Sequence, residues 1–328
     1  NSPVRKNGII VGTGASINGI NRVEEKLLTK KIVNTTSEHE FHKERDIQLR
    51  QVEELFNEVN ADGLHLVMSK FFNAFRDLAT EPENETMRSL VRDTAEVVTR
   101  DFRRIGQTLD TASQSIDQQI RISVDQINHL TDSIAKTNRQ IAEFEGSGDT
   151  TGDLRDERDR LIKDLAKIIP VNTYTDNRGN FVVNAKNVGS LVSAGQTTEL
   201  MAKSLNREQS ANDRPGSVEV FFKGRSSANI TKKISGGELG ALFQTKNDTI
   251  YALKKNMDEL AYNFVNRVND IHRQGFKAEG YPTNLRGEQI NFFQEVRPKT
   301  DASTRIFYPM KFKRLTKYRY FNLPKYTR

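Results

Sequence analysis

The side chains that could carry out chemistry are few and scattered along this sequence of 328 residues. His39 and His42 stand three residues apart, with a glutamate between them. The zinc-binding helices of metalloproteases instead place two histidines four residues apart, so that both reach one metal ion. The other histidines occur singly along the chain, as His65, His129 and His272. This spacing favours a solvated helix face, and we expect no bound metal.

The run Arg155-Asp156-Glu157-Arg158-Asp159-Arg160 is the second group that could act as acids and bases. Adjacent carboxylates on a helix point to different faces, so they make a poor catalytic pair. Opposite charges four residues apart, Asp156 with Arg160 and Arg155 with Asp159, each stabilise a helix by about 0.2–0.5 kcal/mol. We therefore predict a solvated, self-paired helix surface at this run.

Other motifs of catalysis and cofactor binding are missing from the sequence. The segment Gly12-Thr13-Gly14 with Gly19 lacks the Lys-Ser/Thr of a phosphate-binding loop and the acidic partner of a dinucleotide-binding fold. No serine stands in a Gly-x-Ser-x-Gly motif. The absence of cysteine excludes disulfides, thiolate metal sites and a cysteine nucleophile. The sequence thus predicts neither an enzyme nor a cofactor.

Composition and charge narrow the class of protein further. Hydrophobic residues make up 35% of the chain and the mean hydropathy is −0.66, which suits an elongated body with a thin core. No apolar run approaches the length that spans a membrane. The net charge is +7, but residues 297–328 hold ten basic residues and one acidic residue, which leaves −2 for the rest. A nucleic-acid-binding role could rest only on that tail.

The most informative pattern is a long helical stripe. From Val91 to Phe144, apolar or small residues recur every three or four positions, at a period between those of a coiled coil and a straight helix. This pattern predicts one helix over residues 85–145, roughly 90 Å long at about 1.5 Å per residue. Such a helix cannot cover its own apolar stripe, so it needs partner helices alongside.

Segments on both sides of the long helix supply such partners. A capping box at Ser37–Glu40 predicts the start of a helix that ends near residue 60. Helical spacing predicts three further helices over residues 64–79, 154–169 and 238–274. Strand and turn patterns between the last two predict a β-rich segment, with strands at 171–175, 180–184, 189–195 and 217–222.

The predicted fold class is mainly α, an elongated antiparallel bundle of long helices (a rod) with a small inserted β-rich domain. The predicted organisation is an extended lead-in (1–36), the first part of the rod (37–170), the β-rich insertion (171–235), a returning helix (236–275) and an irregular segment with the basic tail (276–328). The side chains expected to pack in the rod core are Phe71, Phe75, Val98, Phe102, Ile105, Leu109, Ile116, Ile120, Val124, Ile127, Leu161, Leu165, Leu242, Leu253, Leu260 and Phe264.

Four short segments carry the pattern of a known family. They are Gly63-Leu64 with Phe71–Ala79 and Pro82, Asp153–Asp159, Gly236–Leu242, and Gly12–Gly14 through Arg22-Val23. Together they resemble the flagellar hook-associated protein 1 family, the hook–filament junction proteins, over about residues 8–295. The sequence departs from the family pattern at Phe75, where the family usually has Trp, and at Lys246-Asn247, where it often has Arg-Asp.

The resemblance implies a structural subunit of the bacterial flagellum at the hook–filament junction, needed for filament assembly. It implies self-association in an axial assembly with hook and filament-side proteins, and binding to an export chaperone. The implied location is extracellular, after export by the flagellar type III system without a cleavable signal peptide. The resemblance further implies an outward-facing β insertion and a chain that lacks the family's terminal inner-tube segments. The family pattern stops after Phe292-Phe293, and we expect residues 297–328 to be an unstructured or a non-native extension.

Other classes of function stay open on the sequence alone. A helical coiled-coil sensory or adhesin-type module would bind a small molecule or a signalling partner instead of hooks. A nucleic-acid-binding tail would show salt-sensitive binding that is lost on deletion of residues 297–328. An enzyme would need a cavity with converging histidine and carboxylate side chains. We expect no small-molecule substrate, no nucleic-acid partner and no membrane span.

Overall fold

A computed structural model of the protein describes residues 4–6, 9–11, 26–59, 63–147, 150–204, 217–277, 291–294 and 321–322. Most of the predicted lead-in and most of the predicted basic tail lie outside the described residues. The first described element is a short hairpin, in which β1 (Val4–Lys6) pairs antiparallel with β2 (Ile9–Val11). The helices of the described residues are α1 (Lys26–Val59), α2 (Leu64–Thr80), α3 (Glu85–Gly146), α4 (Gly152–Ile168), α5 (Gly237–Gln244) and α6 (Tyr251–Arg273).

Helix α3 is the axis of the molecule and confirms the predicted long helix. It is unbroken for 62 residues, which corresponds to a length of about 93 Å. Asn84 caps its start, because the side-chain oxygen accepts hydrogen bonds from the backbone N–H groups of Thr86 and Met87. Where the apolar stripe skips a turn, Thr137 and Asn138 are buried instead.

Helices α1, α2 and α4 run antiparallel to α3 and cover its stripe. Helix α2 joins α3 through a tight turn, and α4 folds back along the other end, where Arg155 pairs with Glu145 at 2.5 Å. The first turns of α1 line the same cleft as Ile141. Farther along α1, Gln48 Nε2 donates a hydrogen bond to Gln119 Oε1 at 2.7 Å. The predicted antiparallel rod is therefore confirmed.

The start of α1 differs from the prediction. The capping box at Ser37 predicts a helix start there, but α1 begins at Lys26 and Ser37 lies buried inside it. The reason is that residues 26–36 contain neither glycine nor proline, and Val33 packs into the core. Burial against the rod thus extends the helix through a sequence that could also cap it.

The predicted returning helix consists of α5, a π-helical turn at Thr245–Ile250, and α6 in one continuous path. This path is antiparallel to α3. Lys246 pairs with Asp117. Phe264, eighteen residues after Lys246, lies near Phe102, which is fifteen residues before Asp117 on α3. The returning segment therefore packs along α3 from Ser123 back to Phe102, and Phe264 also contacts Phe71 of α2.

The predicted packing of Leu260 is wrong, because the buried face of α6 centres on Phe264, Val265 and Asn269. At about 100° per residue, Leu260 lies about 90° from the direction midway between Phe264 and Val265. Leu260 is 41% exposed and Ile271 is 66% exposed.

The β-rich segment forms two antiparallel sheets that pack on the second half of α3. The first sheet has the order β3 (Val171–Thr175), β4 (Phe181–Ala185), β5 (Gly189–Ser193) and β6 (Gln196–Thr197). The second has the order β7 (Leu200–Ser204), β8 (Val218–Phe222) and β9 (Arg225–Asn229). Asn128 of α3 binds the edge of β7, because its side chain both donates to and accepts from the backbone of Leu200 at 2.9 Å. A last antiparallel pair joins β10 (Phe276–Lys277) to β11 (Phe321–Asn322).

Candidate functional site

The buried interior of the rod is the candidate functional site, and it divides into two apolar clusters along α3. One cluster covers the first part of α3, and the other continues from Ile105 into the two sheets. The predicted residues Phe75 and Leu253 are half-buried, and Leu260 is the exception described above. The other predicted core residues are buried: Phe71, Val98, Phe102, Ile105, Leu109, Ile116, Ile120, Val124, Ile127, Leu161, Leu165, Leu242 and Phe264.

Aromatic rings fill the space between α2, the start of α3 and α6. We call the set Phe71, Phe75, Phe102, Phe264, Phe292 and Phe293 the phenylalanine cluster. The Phe71 ring lies 5.0 Å from that of Phe75 and 5.5 Å from that of Phe264, in edge-to-face geometry. Such pairs stabilise by about 0.5–1.5 kcal/mol beyond the burial of their surface. The cluster therefore holds three helices together at one end of the rod.

The segment after α6 closes the phenylalanine cluster, and the prediction did not include it. Asn269 is almost fully buried. Its amide donates to the carbonyl of Phe293 at 3.1 Å and accepts from the N–H of Phe293 at 2.8 Å. These two bonds hold Phe292 and Phe293 against Phe71. The adjacent pair of phenylalanines was the only signal in the sequence for this contact.

Asn269→Ala should destabilise the rod, because it removes both hydrogen bonds between the Asn269 side chain and the backbone of Phe293. The loss of a buried hydrogen-bond partner costs about 1–3 kcal/mol, so we expect a loss of about 2–4 kcal/mol in the free energy of unfolding, measured by urea denaturation. Asn263 lies exposed on the same helix, and Asn263→Ala should change stability by less than about 0.5 kcal/mol. Equal effects of the two substitutions would contradict a stabilising role of the hydrogen bonds between Asn269 and Phe293.

A second group of polar residues lies where α1, α3 and α5 meet. We call Gln48, Gln119, Ser123 and Glu238 the polar seam. Gln48 Nε2 donates to Gln119 Oε1 at 2.7 Å, and Ser123 Oγ donates to Glu238 Oε1 at 3.2 Å. Because hydrogen bonds are directional, these contacts fix the axial alignment of α1 and α5 relative to α3. Apolar packing alone would fix this alignment only weakly.

The ion pair of Asp117 and Lys246 lies beside the polar seam. The side chains are only 15% and 8% exposed, and Lys246 belongs to the π-helical turn. Asp117 also accepts a hydrogen bond from the backbone N–H of Val218 at 3.2 Å. One carboxylate therefore joins α3, the returning helix and β8.

The carboxyl of Glu238 titrates abnormally. Burial raises its pKa above the ordinary value, and the neighbouring carboxylates of Glu44 and Glu40 raise it further. The hydrogen bond from Ser123 and the charge of Lys43 oppose the rise. Because the folded state binds this proton more tightly than the unfolded chain does, folding stability decreases as pH rises from the ordinary glutamate value through the raised one.

Glu238→Gln should therefore raise the melting temperature at pH 7 and above, because the amide keeps the bond from Ser123 without the charge. The gain should shrink as pH falls towards the unfolded-state value of 4.5, where the wild-type carboxyl is protonated. Melting curves between pH 4 and 8 measure this difference. Glu83→Gln, at an exposed position, is the control, and a Glu238→Gln gain that grows towards low pH would contradict the assignment.

The charge run on α4 is only partly the solvated surface that its pattern predicts. Arg160 pairs with Glu157 at 2.6 Å and with Asp164 at 3.3 Å on the exposed side. Arg158 is buried, however, with its guanidinium 3.7 Å from the centre of the Phe181 ring. The prediction is wrong at Arg158 because α4 packs against the first sheet, which covers that position.

The side chains of this site pack the helices together and fix their alignment. In the part of the chain that the structure describes, no group of histidine and carboxylate side chains is arranged to hold a metal ion. None of the described helices is long and apolar enough to span a membrane. The fold and its interior define an elongated helical protein, in which one long helix is clad by antiparallel partners and two small sheets.

Comparison with known proteins identifies a family for this chain. Residues 49–289 match the family described as "Flagellar hook-associated protein FlgK helical domain". The chain belongs to this family, which confirms the resemblance seen in the sequence.

Individual relatives are distant in sequence. The chain is 24% identical to flagellar hook-associated protein 1 of Escherichia coli (strain K12) over 275 residues, which cover 82% of this chain and 49% of the relative. For the protein of that name from Bacillus subtilis (strain 168), the identity is 22% over 288 residues, or 82% of this chain and 57% of the relative. The chain thus spans about half the length of these relatives.

A solved structure shares the fold. The flagellar hook junction protein FlgK from Burkholderia pseudomallei superposes with a TM-score of 0.69 at 21% identity, over 82% of this chain and 47% of that one. At this level of identity the likeness is one of fold, and it supports the mainly α architecture with an inserted β region.

Proposed function

We propose that this chain is a structural subunit of the bacterial flagellum at the hook–filament junction, needed for filament assembly. The observation that carries the proposal is α3, whose 62 residues run without a break through both apolar clusters. A helix of this length that is covered by partner helices resists bending and suits an axial load. The family assignment of residues 49–289 supports the same role.

In this role the chain associates with other copies and with hook and filament-side proteins in an axial assembly. It reaches that place outside the cell through the flagellar type III system without a cleavable signal peptide, with an export chaperone as its partner before export. The outward-facing position of the β region belongs to the same proposal. The sheets bury their inner faces on α3, and their other faces are available to the surroundings of the assembly.

Deletion of the gene in the source bacterium tests the function directly. We expect cells that build hooks without attached filaments and release filament subunits into the medium. Return of the wild-type gene should restore filaments, whereas a variant carrying Ile120→Asp in the rod core should not. Normal filaments on the deletion strain would overturn the proposal.

Binding to isolated hooks tests the location. Purified full-length protein, labelled and added to hooks prepared from the deletion strain, should decorate one end of each hook in electron micrographs. Binding of a small molecule together with failure to decorate hooks would instead support the sensory or adhesin-type module.

A further inference from the structure

The first sheet has an edge whose backbone groups point outwards. Strand β3 is the outermost strand of that sheet. Lys186 N donates to Pro170 O and Asp176 N donates to Asn180 O, both at 2.9 Å, at the two ends of the β3–β4 pair. Because hydrogen-bonded pairs alternate in an antiparallel ladder, the even-numbered residues of β3 bond to β4. The N–H and C=O groups of its odd-numbered residues point away.

This outer edge is open to another strand. Thr173 and Thr175 are exposed, and within the described residues their outward backbone groups make no hydrogen bond to another element. Proteins usually protect such an edge with lysine, proline or a covering loop. Residues 173–175 are Thr-Tyr-Thr, which favour strand structure and carry no such protection.

A cleft lies beside the open edge. Its volume is about 520 Å³, and residues of β3, the start of α1 and the end of α3 line it. Its lining is mixed: the apolar side chains of Leu27, Val33, Ile141, Ala142 and Ile162 lie among the charged side chains of Lys30, Arg139, Glu145, Arg155 and Asp159. Leu27 is 81% exposed and Tyr174 is 50% exposed. A strand laid along β3 would lie over this mixed lining and cover part of the exposed Tyr174 side chain.

The chain also contains a strand that needs a partner. Among the described residues, β1 and β2 form a sheet of two strands only, and a two-stranded hairpin is marginally stable in water. Strand β2 is Ile9-Ile10-Val11, three β-branched residues whose outer edge is unpaired in that sheet. Among the described residues, β2 and β3 thus each have one edge without a hydrogen-bonded neighbouring strand.

We propose that the β1–β2 hairpin of one copy adds to the β3 edge of a second copy, with β2 against β3. A second copy is the fitting occupant because, within one chain, the structure keeps the hairpin and β3 in separate sheets. Donor and acceptor are different parts of the surface, so the contact is heterologous and repeats from copy to copy. This proposal rests on the self-association proposed above and names the contact that makes it.

Cysteine cross-linking tests the contact, since the chain has no native cysteine. Full-length protein carrying both Ile10→Cys and Thr173→Cys is oxidised and run on a non-reducing gel. We expect a ladder of covalent multimers at multiples of 37.4 kDa, at least tenfold more abundant than for the control. The control pairs Ile10→Cys with Thr111→Cys, at an exposed position on α3. A ladder no stronger than the control, or a monomer closed on itself, would overturn the proposal.

A second pair of variants separates the strand contact from general folding. Thr173→Pro removes the outward backbone N–H of residue 173 and leaves the β3–β4 hydrogen bonds in place. Thr173→Val keeps that backbone N–H and has a side chain of similar shape. In sedimentation equilibrium we expect Thr173→Pro to weaken self-association at least tenfold and Thr173→Val to leave it unchanged. Equal association of the two variants would refute the contact. Hook decoration by a protein that forms no ladder would refute the strand contact alone, and a ladder from a protein whose gene is dispensable for filaments would refute the junction role alone.

Discussion

Ile120→Asp should unfold the centre of the rod. Ile120 is fully buried in the middle of α3, where it belongs to the cluster that continues into the sheets. Removal of a buried isoleucine side chain costs about 2–5 kcal/mol, and the carboxylate that replaces it has no counter-charge designed for it. We expect a loss of more than about 4 kcal/mol in the free energy of unfolding, together with loss of the cooperative transition in circular dichroism.

The control for this substitution lies two residues away on the same helix. Gln118 is exposed, so Gln118→Asp introduces the same residue into the same helix without burying it. We expect a change of less than about 0.5 kcal/mol there. A melting temperature of Ile120→Asp within 2–3 °C of that of Gln118→Asp, or about 1 kcal/mol at most, would show that the helices do not pack as described.

Lys246→Met should be the second most damaging substitution. It leaves the Asp117 carboxylate, which is largely buried between α3 and the returning helix, without its counter-charge. Breaking a buried pair by removal of one partner costs about 3–5 kcal/mol. Urea denaturation should show this loss with an unchanged dependence of stability on urea concentration.

Two comparisons decide whether the burial of the charge is the cause. The double variant Asp117→Asn with Lys246→Met has no charge, and the asparagine can still accept the bond from Val218. It should recover more than half of the loss. Lys254 and Asp110 form an ion pair between the same two helices but are more exposed, so Lys254→Met should cost less than about 1 kcal/mol. Equal costs at Lys246 and Lys254 would contradict the account.

The long helix and its partners could be predicted because their signal is local and repeated. Each turn of α3 adds another apolar residue at the same spacing, and no glycine or proline contradicts the pattern strongly enough to end the helix. The hairpin of β3 and β4 was similarly visible, since Asp176 and Gly179 form its turn. Patterns of this kind need no knowledge of distant contacts.

The features that the sequence did not predict depend on distant or compensating contacts. The two hydrogen bonds between Asn269 and Phe293 join residues that the helical pattern does not connect. The pair of Asp117 and Lys246 joins residues 129 positions apart. No spacing rule marks the π-helical turn, and the helical spacing of α6 does not decide whether Leu260 or Ala261 faces the core. The charged neighbours of Arg158 in the sequence predict a solvated side chain. The sheet that covers it follows later in the chain, where the local pattern does not reach.

The rod architecture depends most on α3 being one straight helix inside the folded protein. Spin labels on cysteines introduced at Gln107 and Glu143, both exposed and 36 residues apart, report its length by pulsed electron paramagnetic resonance. Ten unbroken helical turns predict a single narrow distance near 54 Å, and the pair Glu96 with Asp132 should give the same value. A broad distribution, or a main distance below about 40 Å, corresponds to a broken helix and would contradict the rod.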